Sequence, residues 1–434
     1  MFINFLKVLQ GILSNAAILV GLISLVGLIA LKKPFSLVLS GTLKTIIGWL
    51  ILGAGAGVVV GAIGPLGNLF NEVLGIPNAA VPVNEVFSAN AQGDPVLGPL
   101  IAWTFLGAFI VNIILALITK WKYIYLTGHI ILFNSVLTVA MFSLMPGIGN
   151  SPVLIVVVSS IISGLAMVVF PAMTAPFMKK IIGSEDFVMG HPGTIAYATS
   201  GFLGQFVGDP EDNAEKLKFP DWIGFMREPL VAMGVVSFII FFIVSLIGLA
   251  RGVDVNGLLG GQWWLQSIML ALTFAGGIGV ILLGVRTVLG EIVPAFRGIS
   301  DKIVKNSKPA LDCPVVFPYA PNALLLGYLS SIVGGVVVML LQIAIAPALG
   351  GVILPSMIVH FFCGGTAGIF GNSTGGWKGA VLGGFINGFM FTMLAGLVYT
   401  SLGGLNPAWA GTSFGDTDLG FIGSILAFIT SLLK

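Results

Sequence analysis

FVMGHPGTIAYATSG, residues 187–201, sets Gly190, His191, Pro192 and Gly193 in a row inside a chain that is otherwise mostly apolar. Glycine loosens the backbone and proline removes an amide donor, so a helix is not expected to run through these four residues. Only 3 histidines occur in 434 residues, and one stands at this break. In lipid, irregular backbone is tolerated only where protein or a cavity supplies hydrogen-bond partners. The stretch reads as a helix interrupted inside a membrane protein, with a titratable ring at the interruption.

Composition supports that reading. Hydrophobic residues make up 57% of the chain, charged residues 8%, and mean hydropathy is +1.07; soluble domains carry about 25% charged residues. The fold class is an all-α polytopic membrane protein. With about 20 apolar residues needed per crossing, eleven spans are expected, near 8–31, 41–63, 96–119, 124–145, 153–175, 229–250, 263–285, 322–346, 352–371, 379–400 and 418–433. The stretches 64–95, 184–207 and 287–321 are too polar for lipid and too apolar for water, and read as re-entrant segments. The N-terminal apolar run ends at Lys32 and Lys33 like a span, not like a signal peptide.

Several functions are excluded. No basic cluster suggests nucleic acid. Cys313 and Cys363 have neither disulfide nor metal-ligand spacing, and neither a metal nor a cofactor is expected. No Walker motif occurs, and the longest soluble piece, 208–227, is too short for a nucleotide-binding domain. Of the 19 Lys and Arg residues, all but Lys7 and Arg251 fall on one side if the N-terminus is outside. Positive charge collects on the cytoplasmic side, so the orientation is N-out, C-in.

GAIGPLGNLFNEVLGI (61–76) and GVRTVLGEIVPAFRGI (284–299) align without gaps at Gly61, Leu66, Gly67, Gly75 and Ile76 with Gly284, Leu289, Gly290, Gly298 and Ile299. A proline-bearing polar segment, a long apolar helix and a span with a histidine (His129, His360) follow in both halves. The segment 64–95 carries only acids (Glu72, Glu85, Asp94) and faces outside, whereas 287–321 carries Arg297, Lys302, Lys305 and Lys308 and faces inside. These are inverted repeats, about 1–175 and 229–400, joined by 184–228 and followed by a last helix at 418–433. Inverted repeats with broken helices characterise transporters that bind substrate near the midplane.

Glu85, His129, His191, Asp312 and His360 are the ionisable groups away from span ends, and such groups are functional candidates. Each has a plainer reading. Glu85 suits a wet outer loop, His129 a bond to a neighbouring helix, and Asp312 a cap on a half-helix starting at Cys313. His360, deep in an apolar run without nearby acids, is read as structural. Carboxylates and imidazoles exchange hydrogen bonds with hydroxyls, and Asn84 adds an amide. Half-helix N-termini after Pro82, Pro192 and Pro314 aim N–H groups at oxygen. The set suits a polyhydroxylated or mildly acidic small molecule. An ion-coupled secondary transporter with Glu85, His129 and Asp312 as relay is the alternative.

GTLKTIIGWLILGAGAG, TGHI, MGH, LDC…APNA and GGWKGA, in this order along nearly the whole chain, resemble the ascorbate-type membrane component, enzyme IIC, of the bacterial phosphoenolpyruvate-dependent sugar phosphotransferase system. The resemblance implies a bacterial inner-membrane homodimer with eleven spans per protomer. A dimerising scaffold domain and a mobile core domain, interleaved in sequence, move substrate like an elevator. It also implies cytoplasmic IIA and IIB partners; IIB, phosphorylated on its own cysteine, phosphorylates the sugar, so no catalytic residue is expected on this chain. By resemblance the substrate contacts are Asn84, Glu85, His129, His191 and Asp312, with Thr194 in the first turn after the break. Phe133 and Pro192 stand where ascorbate members have glutamine. The related galactitol-type proteins have a stretch like HPGT, which keeps a polyol or pentose-like ligand open beside ascorbate.

Overall fold

The computed structural model describes residues 16–76, 79–349, 351–402 and 411–433. The start of the expected span 8–31, Lys7 and Lys434 lie outside the described residues, as does the side chain of Arg297. The chain is almost entirely helical: α1 (Ala16–Ala30), α2 (Phe35–Leu74), α3 (Asn84–Gly93), α4 (Leu97–Ile118), α5 (Gly128–Ser143), α6 (Pro152–Ile182), α7 (Thr194–Gly204), α8 (Pro229–Ala250), α9 (Trp263–Ile303), α10 (Pro321–Leu349), α11 (Met357–Leu402) and α12 (Thr417–Leu433). Among the described residues, 7 helices are long and apolar enough to cross a membrane, and α5 and α12 are shorter apolar helices. The protein is a multi-pass membrane protein.

Two of the expected breaks come later than apolarity alone suggests. Helix α2 runs on through Pro65 to Leu74, and α9 runs through Pro294 to Ile303. In α2 the reason is a change of pattern. Beyond residue 61 it becomes amphipathic, burying Ala62, Ile63, Leu69, Phe70 and Val73 while Asn68 and Glu72 stay exposed. That spacing keeps a helix without keeping it apolar. Helix α11 is interrupted between the expected spans 352–371 and 379–400. Gly376 has φ 59° there, and Trp377 N donates to Asp212 O at 2.9 Å. A side chain at Gly376 would run into the carbonyls of Asp209 and Asp212.

Helices α2 and α9 pack along each other, joined by α1 and α8. Their backbones nearly touch: a Cβ at Gly48 would lie 2.9 Å from Gly284 O, and one at Gly55 2.7 Å from Ile281 N. Residue numbers rise on one helix as they fall on the other, so the two run antiparallel. Small residues at such crossings are how membrane helices gain contact. A second group packs α10 and α7 against α11, α4 against α6, and α5 and α12 beside them.

Short parallel strands tie the chain's halves together. β1 (Val81–Pro82), β2 (Tyr123–Tyr125), β3 (Val188–Met189), β4 (Lys308–Leu311) and β5 (Thr412–Ser413) form two small sheets. In the first, β4 lies between β2 and β3, with Ala310 opposite both Tyr125 and Val188. In the second, β1 pairs with β5 on one side, and Ala80 bridges Ile353 on the other. Each central strand thus comes from the opposite half of the chain from its two neighbours.

Candidate functional site

Parallel strands carry their carboxyl ends to one edge, and here each strand is followed by a helix start. Behind β2 comes Gly128 and His129 at the start of α5; behind β3, His191 ahead of α7; behind β4, Asp312 ahead of the 3-10 turn Cys313–Tyr319. This is why three residues far apart in sequence converge. Asp312 stands between the rings: its Oδ2 lies 3.5 Å from His129 Nε2 and its Oδ1 3.8 Å from His191 Nε2. Oδ1 also accepts from Cys313 N at 2.8 Å, so Asp312 caps the 3-10 turn while it faces both rings. The contacts to the histidines exceed ordinary hydrogen-bond length, and such gaps suit a bridging hydroxyl or water. His191 Nδ1 is 2.9 Å from Tyr197 Oη, which fixes the ring with Nε2 toward Asp312.

The second sheet supplies the facing polar groups. Asn84 and Glu85 open α3 behind β1, and Asp416 follows β5. Asn84 Nδ2 donates to Asp416 Oδ2 at 2.5 Å, Asn84 Oδ1 accepts from Gly415 N at 2.7 Å, and Cys363 Sγ donates to Asp416 Oδ1 at 2.5 Å. Neither α3 nor α5 has a side-chain cap on its first N–H groups. Unsatisfied donors at a helix start favour oxygen and negative charge.

Between the two sheet edges lies a cavity of about 340 Å³ lined by Asn84, Glu85, His129, Phe133, His191 and Asp312, together with Asp416 and Arg286. That volume is in the small-molecule range. The Phe133 ring is buried and stands edge-on to His129, centroids 5.6 Å apart. Six of the eight sequence-derived site residues therefore meet at one cavity. Pro192 and Thr194 are not among its lining residues. Pro192 O accepts from Asp418 N at 2.8 Å, and Asp418 Oδ2 accepts from Thr194 Oγ1 at 2.5 Å and Thr194 N at 3.0 Å. These two residues lock the start of α7 to the start of α12.

A family comparison bears on the arrangement. The family model described as "PTS system sugar-specific permease component" matches residues 11–418. The chain belongs to that family. The chain is also 28% identical, over 417 residues, to the "Ascorbate-specific PTS system EIIC component" of Mycoplasma pneumoniae. The match covers 85% of the chain and 63% of the relative, so the chain spans less than two thirds of that protein's length.

Sequence reasoning passed over Asp416, Asp418, Cys363 and Arg286. The acids of GDTDLG (415–420) were the available signal, two carboxylates opening an apolar helix. Metal-ligand spacing is absent in sequence, yet the fold brings His191, Cys363 and Asp416 together, and likewise His191, Asp312 and Cys313, with ligand atoms within 4.8 Å. In the first group the donors already serve protein partners, Cys363 toward Asp416 and His191 toward Tyr197. His360 is not among the lining residues of that cavity, and its Nδ1 lies 2.8 Å from Ser331 Oγ.

Proposed function

We propose that this permease is the transport component of a phosphotransferase system, taking up ascorbate or a related sugar acid or polyol for phosphorylation by a separate IIB protein. The observation that carries the reading is the Asp312 carboxylate between two imidazoles in a cavity of small-molecule size. Asn84, Glu85, His129, Phe133, His191 and Asp312 are the substrate contacts, and Pro192 and Thr194 hold the backbone that carries His191.

In this reading eleven helices span the bacterial inner membrane, N-terminus outside and C-terminus inside, as a homodimer. Helices α1, α2, α8 and α9 form the scaffold, and the remaining helices, with both sheets, form the core that moves. The antiparallel pairing of α2 and α9 and the reciprocal exchange of β1 and β4 support an inverted repeat. They favour drawing 184–204 into the first copy and 411–433 into the second. The cytoplasmic stretch 208–227 and the basic segment 297–308 are the surface for IIB, which is itself recharged by IIA. The family match favours this reading over ion-coupled transport.

Replacing Asp312 with Ala tests the site. Asp312 is the half-buried acceptor between two largely buried imidazoles, and losing such a partner costs about 1–3 kcal/mol, so sugar affinity should fall by up to about a hundredfold while oligomeric assembly persists. Calorimetry in detergent against ascorbate and a polyol panel reads this; wild-type affinity in the variant would overturn the assignment.

A further inference from the structure

The cavity wall has two sources. Its polar floor comes from the helix starts behind the two sheets. The remaining side is built by Pro229 of α8 and by Leu282, Val285 and Arg286 of α9, which pack with α1 and α2. Arg286 is the one Lys or Arg among the lining residues described, against three carboxylates, Glu85, Asp312 and Asp416. Its side chain is exposed, so it marks the rim, and among the described residues it has no hydrogen-bond or ion-pair partner. A guanidinium that lines a cavity and has no partner among the described residues is available to whatever enters.

We propose that Arg286 holds the phosphoryl group while it passes to the bound sugar. This rests on the transport-and-phosphorylation reading above. A phosphoryl group entering this cavity meets three carboxylates that repel it and one planar donor fork that matches its oxygens. In the step, the sugar hydroxyl oxygen bonds to phosphorus as the S–P bond of the partner's phosphocysteine breaks. The thiolate leaves with the partner, and the hydroxyl proton passes to the Asp312 carboxylate. Arg286 neutralises the charge spread over the non-bridging oxygens. Asp312 orients the acceptor, and Arg286 serves the donor.

The placement adds a condition. Arg286 belongs to the α2–α9 group and the sugar contacts to the other, so any displacement of one group against the other separates Arg286 from the sugar. Transfer is then confined to the state in which the cavity reaches this rim.

The test pairs two readouts on purified permease, wild type, R286A and R286K. Calorimetry measures binding of the unphosphorylated sugar, and a coupled assay with the purified phosphorylated IIB protein measures sugar phosphate. R286A should slow sugar-phosphate formation by about a hundredfold or more, the usual cost of one lost transition-state donor, far more than it weakens sugar binding; R286K, with charge but no fork, should fall between. Equal losses in binding and transfer, or no loss in transfer, overturn the role of Arg286. A wild-type chain that binds the sugar yet never yields sugar phosphate overturns the reading beneath it as well.

Discussion

The two small sheets are built alike and used differently. In both, a central strand from one half of the chain lies between two parallel neighbours from the other, and helix starts follow the carboxyl ends. The first sheet leaves its polar groups apart: His129 and His191 stand 3.5 and 3.8 Å from Asp312. The second ties its own together, with Asp416 held by Asn84 and Cys363 at 2.5 Å each. Gaps of the first kind leave hydrogen-bonding capacity for a ligand; short closed bonds spend it on rigidity. In the reading proposed above, the first sheet offers the open polar groups, and the second presents Asn84 and Glu85 to the same cavity from a braced frame.

Replacing Asp416 with Ala is the sharpest challenge to that contrast. The change strips the Asn84 amide and the Cys363 thiol of their acceptor, and an unpaired buried donor costs about 1–3 kcal/mol. Asp416 also has φ 68°, a conformation that alanine adopts less readily. The expected outcome is a lower unfolding temperature in detergent, with sugar affinity reduced less than in the Asp312 variant. An affinity loss equal to that of Asp312→Ala, without loss of stability, would mean that Asp416 itself meets the sugar rather than bracing Asn84.

Phe133 and Pro192 divide in the same manner. By resemblance both stand where ascorbate-type members have glutamine, but only Phe133 lines the cavity, while Pro192 gives its carbonyl to Asp418. Phe133→Gln should therefore shift the preference between ascorbate and polyols by about tenfold, the worth of one buried hydrogen bond. Pro192→Gln should shift it less. Binding measured across one panel for both variants decides, and a larger shift from Pro192→Gln would break the division.

Much of the site was legible because chemistry and sequence coincide there. A histidine, an aspartate or an Asn–Glu pair beside proline or glycine in apolar sequence marks both a broken helix and a polar group. What escaped detection lay where one property hid another. Asp416 and Asp418 open the apolar run of α12, so a search for spans absorbed them as its edge. Arg286 belongs to a helix that continues to Ile303, so a span ending at 285 made it a flanking charge rather than part of a wall. The strand exchange had no signature, since strands of two to four residues carry no readable period.

The smallest expected effect concerns an anchor that the first sheet has and the second lacks. Glu185 Oε1 accepts from Lys179 Nζ and Oε2 from Lys308 Nζ, both at 2.8 Å, joining the end of α6 to the first residue of β4. Among the described residues no ion pair reaches β1 or β5. The hydrogen bonds from Lys179 and Lys308, with their charge, hold the Glu185 carboxyl down from 4.5 to about 2. A carboxyl lowered in the folded state stabilises it above its unfolded value. That contribution shrinks as pH falls from 4.5 toward 2 and is lost below it, where the group is protonated in both states. All three side chains are solvent-exposed, so screening keeps the effect small. Glu185→Gln should therefore unfold slightly below wild type at pH 7, and the difference should narrow below pH 4.5 and in high salt. Thermal unfolding in detergent at several pH values reads both. A difference that widens on acidification would mean that Glu185 is not the anchor of β4.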